Sequence, residues 1–237
     1  MLTALILASS NGFNQAAFDQ FINMRVGKGK PVYWHCTGEL YSFPEGKLLA
    51  KLDGVDVARL IPGDNKTKAT QLSRKIFRYL DPTTGKEIGG EVKRIEYPYQ
   101  WMEYELVGDT LSTTVTQGKG TRIQKLTVNQ AQCRPMQDGT IFSVPLFVSV
   151  TTPRGKLDAY ENYDFFVVKG RPHRLSWNRF SDLPPGFGPG KGVMQMVARR
   201  YDRVTDLPKA FQEFLQKEAL LWLEPPKDLK EIEALQK

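Results

Sequence analysis

The chain reads as a mainly β (α+β) protein, with an antiparallel core of barrel-like or sandwich type and helices at its two ends. Three observations predict this. Between residues 30 and 201, segment after segment alternates apolar and polar residues with a period of two. Gly, Pro, Asn and Asp clusters separate those segments at short intervals. No regular alternation of strand and helix patterns runs along the chain, which argues against a parallel doubly wound sheet.

The elements follow in order. Residues 13–26 have helical spacing: Phe13 and Ala17 are four apart, as are Phe18 and Ile22, and Phe21 follows Phe18 by three. Gly27 and Gly29 stop the helix. Residues 32–43 alternate, with Val32, Trp34, Cys36 and Leu40 on one face and Tyr33, His35, Thr37, Glu39 and Tyr41 on the other. Residues 47–60 predict one or two short strands around Asp53-Gly54, a hairpin signal. Residues 70–80 place Leu72, Ile76 and Leu80 on one face and run into the turn Asp81-Pro82-Thr83-Thr84-Gly85. Residues 91–107 are extended and aromatic, and Pro98 argues for a sheet edge.

Residues 109–117, 121–129 and 139–151 read as strands, broken at Gly118–Gly120 and at Asp138-Gly139. Residues 157–168 and 172–180 make a hairpin about Lys169–Pro172, and residues 183–192 a Gly/Pro loop before a last strand at 193–201. Asp206 and Pro208 start a helix that runs to about Leu223, with Phe211, Phe214, Leu215 and Leu221 on its stripe. Pro225-Pro226 ends it, and a short charged helix at 227–236 completes the pattern. About ten strands are thus expected in a β core at 30–201, between an N-terminal helix at 13–26 and C-terminal helices at 206–236. No repeat or low-complexity linker divides residues 1–237, so one globular domain is expected.

A chain of 237 residues buries enough surface to fold without a disulfide or a metal. Its two cysteines, Cys36 and Cys133, make no disulfide scaffold and no CxxC pair. Lys and Arg exceed Asp and Glu by 33 to 26, but the excess is spread along the chain, so nucleic acid is not an expected partner. The apolar run Leu2–Ala8 lacks a basic flank and is short for a leader, so N-terminal packing and a cytoplasmic location are expected. No stretch approaches the ~20 apolar residues of a membrane-spanning helix, so no integral membrane segment is expected.

Three stretches resemble a known family. They are PVYWHCTGELYSF through LDGVDVARL within residues 31–60, YLDPTTGKEI at 79–88, and LSWNRFSDLPPGFGPG at 175–190, followed by a helix begun at Leu207-Pro208 and by EPP at 224–226. The chain resembles the DUF1838 family, proteins of uncharacterised activity, from about residue 18 to residue 226. It departs where similar sequences carry a Trp- and Met-rich stretch, since residues 183–192 here are rich in Gly and Pro. The resemblance implies one domain and carries over no reaction.

Motif searches narrow the chemistry. Lys191 follows Gly190, but Gly192 stands where a phosphate loop needs Ser or Thr, and position 185 is Pro. His35 and His173 are the two histidines, with no HxH, HxxxH or HExxH, so neither a metal nor another cofactor is expected. No GxSxG occurs, and Cys36 and His35 point to opposite faces of their strand.

Two clusters remain. The first is Tyr33, His35, Glu39 and Tyr41 on one strand face. The second is Glu161, Tyr163 and Phe165 on one strand, with His173, Leu175 and Trp177 on the next and Arg174 and Arg179 nearby. A carboxylate and an imidazole beside aromatic walls suit acid–base work on an apolar substrate. The same residues suit the wet face of an antiparallel sheet.

The expectation is a β-barrel-like cavity for a small hydrophobic ligand, with cofactor-independent isomerase, cyclase or lyase chemistry as its extension. In that reading His173 or His35 shuttles a proton with Glu161 or Glu39, and Arg174 or Arg179 holds developing charge. Tyr163, Trp177, Tyr33 and Tyr41 line the ligand. The competing reading is a non-catalytic interaction module that uses the C-terminal helix and the 183–192 loop. The spacing of the cysteines also sets a test: the intact mass should not change on reduction, and a gain of two hydrogens would refute unpaired thiols.

Overall fold

The computed structural model describes residues 12–27, 29–61, 65–119, 122–152 and 155–235; the apolar run Leu2–Ala8 lies outside them. Helix α1 (Gln15–Val26) starts at Asn14, whose side chain accepts the Ala17 N–H at 2.9 Å, and stops at Gly27 with φ 69°. Eleven strands follow among the described residues: β1 (Val32–Phe43), β2 (Leu48–Ile61), β3 (Lys68–Leu80), β4 (Ile95–Val107), β5 (Thr110–Lys119), β6 (Arg122–Val128), β7 (Gln132–Met136), β8 (Gly139–Thr152), β9 (Gly155–Val168), β10 (Arg174–Asp182) and β11 (Lys191–Tyr201). Helices α2 (Lys209–Glu218) and α3 (Leu229–Leu235) complete the chain, with a 3₁₀ turn at Leu220–Leu223 between them.

All strands join one antiparallel sheet in the order β6-β5-β4-β3-β2-β1-β11-β10-β9-β8-β7, curled into a half-barrel rather than split into a sandwich. Two meanders, β1 to β6 and β7 to β11, meet where β1 pairs with β11. The curl is visible in the contacts of Phe21 on α1. Its ring lies 5.4 Å from Tyr104 on β4 and 5.5 Å from Phe142 on β8, strands at opposite sides of the sheet.

The alternation of β1 builds two cores. Val32, Trp34, Cys36 and Leu40 face the interior, which α1 fills with Phe18, Phe21, Met24 and Val26. Tyr33 faces outward with Val55, Val57 and Ile76, under Phe211, Phe214 and Leu215 of α2. Arginines clamp the C-terminal segment to this outer face. Arg78 lies 4.2 Å over Phe214, Arg74 donates to the Glu224 carbonyl at 2.7 Å and pairs with Glu231, and Arg94 meets Glu218 at 2.5 Å.

Four expectations are corrected. Asp53-Gly54 is no hairpin, because β2 runs unbroken through it. Gly54 is needed there for close approach, since a Cβ would stand 2.2 Å from the Phe77 ring. Strand β4 is third in the sheet rather than an edge strand; Pro98 stands just before its pairing with β5 begins at Tyr99 and at a bulge opposite Arg74, whose Nε donates to its carbonyl at 2.9 Å. Strand β7 is an eleventh strand, too short and too polar to show alternation. Helix α2 ends at Glu218, and Leu221 is 40% exposed rather than part of the apolar stripe.

Inside the half-barrel, Arg25 of α1 reaches Asp56 of β2 at 2.6 Å, and both residues are only 6% exposed. Lys75 stands 3.6 Å from the same carboxylate oxygen. The Arg25 guanidinium also lies over the rings of Trp34 and Phe165, at 5.9 and 5.8 Å. Breaking a buried pair from one side costs about 3–5 kcal/mol, because a desolvated charge is left behind. Arg25→Met leaves Asp56 with Lys75, whereas Asp56→Leu leaves two cations facing each other. Urea denaturation should therefore show a larger loss for Asp56→Leu than for Arg25→Met. The double variant should recover part of the Asp56→Leu loss; independent, additive losses would contradict this pairing.

Candidate functional site

Arg171 and Gly170 turn β9 into β10, and Gly170 takes φ 71°, a conformation that L side chains rarely adopt. The register that follows sets Leu175 opposite Phe165, Trp177 opposite Tyr163 and Arg179 opposite Glu161. These odd-numbered residues share the interior face. The Tyr163 ring stacks on Phe165 at 6.4 Å and tilts toward Trp177 at 5.9 Å.

Donors converge on Glu161. Its Oε2 accepts the Tyr163 hydroxyl at 2.8 Å and the Trp177 indole N–H at 3.1 Å. Arg179 Nη1 stands 3.6 Å from Oε1. Burial, and then the neighbouring Glu161 carboxylate, push the Tyr163 phenol well above its ordinary pKa, so at neutral pH it is a hydrogen-bond donor. Tyr79 on β3 and Tyr97 on β4 share the interior face. Burial raises both phenols, and Arg179 is close enough to pull each of them back. Phe77, Tyr97, Glu161, Tyr163, Trp177 and Arg179 keep partial exposure.

The other sequence-predicted residues lie elsewhere. His173 precedes the first residue of β10, while Glu161 pairs with Arg179 six positions further on. At ~3.3 Å per residue that is roughly 20 Å, so the structure does not bring the two together. His173 instead borders an outer groove with Asn23, Arg171, Arg199 and Arg200. Arg174 pairs with Phe166 and Arg199 and faces outward, away from Arg179. His35 and Glu39 share the outer face but not a contact. His35 meets Asp53 at 2.9 Å, with Arg78 on the other Asp53 oxygen at 2.7 Å, and its ring lies 4.7 Å from Phe211. Glu39 accepts the Tyr41 hydroxyl at 2.5 Å. Tyr33 donates to the Leu223 carbonyl at 3.0 Å, and burial pushes its phenol up to about 12. Of the first cluster, Tyr33 and His35 therefore dock α2 and the turn that follows it, while Glu39 and Tyr41 pair with each other.

Sequence reasoning missed Arg25, Asp56, Lys75, Tyr79 and Tyr97. A signal existed for Arg25, which falls four residues after Phe21 on an otherwise apolar helix stripe. Asp56, between Val55 and Val57, gave a similar one. Several interior polar atoms find no partner among the described residues: Asp56 Oδ1, Gln71 Nε2, Tyr79 OH and Thr113 Oγ1. Buried polar groups are normally satisfied, so these atoms point to something further in the interior, water or ligand.

Among the described residues, no three His, Cys, Asp or Glu side chains gather at metal-binding distance. Cys36 and Cys133 are both free thiols, and no described helix is long and apolar enough to cross a membrane. No protein-family model matches the chain, and no curated protein matches it. The resemblance to the DUF1838 family rests on its sequence stretches alone.

His173 carries a pH signature. Burial, helped by Arg200, lowers its pKa below the ordinary value. Between that lowered value and the unfolded value of about 6.5, the unfolded chain binds more protons than the folded one. Its stabilising contribution is therefore present above pH ~6.5 and is lost as pH falls through the folded value. His173→Gln should shrink the drop in urea midpoint between pH 7 and pH 5; an unchanged drop would show that His173 does not titrate in this way.

Proposed function

We propose that the half-barrel binds a small hydrophobic molecule on its interior face, at the end lined by β3, β4, β9 and β10. One observation carries this reading. On the interior face, the rings of Phe77, Tyr97, Tyr163 and Trp177 stay partly exposed, and Tyr163 and Trp177 hold a carboxylate that Arg179 approaches. Aromatic walls with a few convergent polar groups are the usual make-up of a small-molecule site. Binding is favoured over turnover, since both histidines stand away from this group. If protons move here, Glu161 and Tyr163 are the groups placed to move them.

A second reading, the interaction module, draws on the outer face. Phe180, Tyr160 and Phe147 are cross-strand neighbours on β10, β9 and β8, and Phe43 meets Phe180 at 5.1 Å. These side chains are 38–67% exposed, an apolar row of the kind that marks contact surfaces. The apolar stripe of α2 is already spent on the sheet, so it offers no such surface.

Native mass spectrometry with organic extraction separates the two readings. A co-purified apolar compound, lost in Trp177→Ala, supports interior binding. A complex of two or more chains with no small molecule, dissociated by Phe147→Ser with Phe180→Ser, supports the module.

A further inference from the structure

The interior of the half-barrel is one carboxylate short. Among its described residues, three cations, Arg25, Lys75 and Arg179, face two carboxylates, Asp56 and Glu161. Arg200, further along, is matched by Asp202 at 2.9 Å. Arg25 and Lys75 share one oxygen of Asp56. Glu161 spends its Oε2 on Tyr163 and Trp177, and its Oε1 stays 3.6 Å from Arg179, beyond a good hydrogen bond. Arg179 gives its Nε to Ser181 at 3.1 Å. Its terminal nitrogens therefore still have donor capacity on the interior side.

The same interior face carries an unpaired phenol within electrostatic reach of Arg179. Tyr79 is 2% exposed and its hydroxyl has no partner among the described residues. A buried hydroxyl without a hydrogen bond is destabilising, and natural structures rarely keep one without a use. Its ring is held by Phe187 of the Gly/Pro loop, 5.1 Å away. A phenol donor and a guanidinium on one face, in an interior with one cation in excess, select an anionic oxygen acceptor. A guanidinium matches the two oxygens of a carboxylate in shape as well as charge.

We propose that the interior ligand is an apolar carboxylic acid. Its carboxylate is received by the Arg179 guanidinium and the Tyr79 hydroxyl, and its apolar body lies against Trp177, Tyr163 and Phe77. The acid brings the interior to equal numbers of cations and carboxylates and satisfies the Tyr79 hydroxyl. This deepens, and rests on, the reading of the interior as a binding site.

Isothermal titration calorimetry with matched acids and alcohols tests it: octanoate against octanol, and naphthoate against naphthalenemethanol. Each acid should bind about tenfold or more tightly than its alcohol, the size expected for hydrogen bonds to a charged group. Tyr79→Phe should cost the acids about tenfold, leave the alcohols unchanged and not lower the melting temperature. Arg179→Gln should abolish the preference for acids. Equal affinities for acid and alcohol, or acid binding indifferent to Tyr79→Phe, would overturn the carboxylate assignment and leave the apolar site standing. If none of the four probes binds, the interior site itself falls.

Discussion

A guanidinium sealed from water must be paired, and the interior of this protein is arranged around that requirement. Arg25 projects from the last turn of α1 into the middle of the curled sheet, and Asp56 meets it there at 2.6 Å. The pair fixes where the helix sits along the barrel axis, and further contacts fix its rotation. Trp34 donates its indole N–H to the Arg25 carbonyl at 3.0 Å, and Arg200 caps the helix by donating to the Asn23 and Met24 carbonyls at 2.6 and 2.8 Å. With α1 so placed, Phe21 lies among Tyr104, Phe142 and Phe165, and one end of the half-barrel becomes solid core. Beyond that core lie Glu161, Arg179 and the partly exposed rings that define the candidate site.

The outer face obeys a different rule. Its polar residues are organised by arginines on the strands rather than by the helix that covers them. Arg74, Arg78 and Arg94 hold backbone carbonyls, carboxylates and the Phe214 ring of the C-terminal segment, and Asp53 bridges Arg78 to His35 beneath it. His35 on β1 and Asp53 on β2 are thus part of the attachment of α2. The same residue types that suggest catalysis in a sequence here serve docking, and only the partners distinguish the two uses.

Much of this was legible in the residues themselves. The alternation of β1 separated the faces that became the two cores, and the odd parity of Glu161, Tyr163 and Trp177 allowed a shared surface that the register about Gly170 decided. Other features were settled by neighbours distant in sequence. Asp53-Gly54 carries a strong local turn signal, yet pairing with β1 and β3 on both sides kept β2 straight, and the glycine serves the Phe77 ring instead. Pro98 was readable as an edge residue because a proline cannot donate to a ladder; the bulge beside Arg74 removes that demand inside the sheet. His173 shares the parity of Trp177 but precedes the first residue of β10, so parity alone could not carry it to the site. Asp56 and Arg25 are 31 residues apart, and no local pattern announces a pair of that kind.

The two edges of the sheet, β6 and β7, are neighbours in the chain. Only residues 129–131 separate Val128 from Gln132. Four Cα steps of at most ~3.6 Å limit the distance between those edges to roughly 14 Å, about three strand spacings. The linker is thus a tether across the lips of the half-barrel, at the level where Val128 and Phe142 close over α1. The curl of the half-barrel is thus held by a covalent link between its lips as well as by the packing of α1, and at the end that carries Arg179 the Gly/Pro loop crosses to β3 through Phe187 and Tyr79.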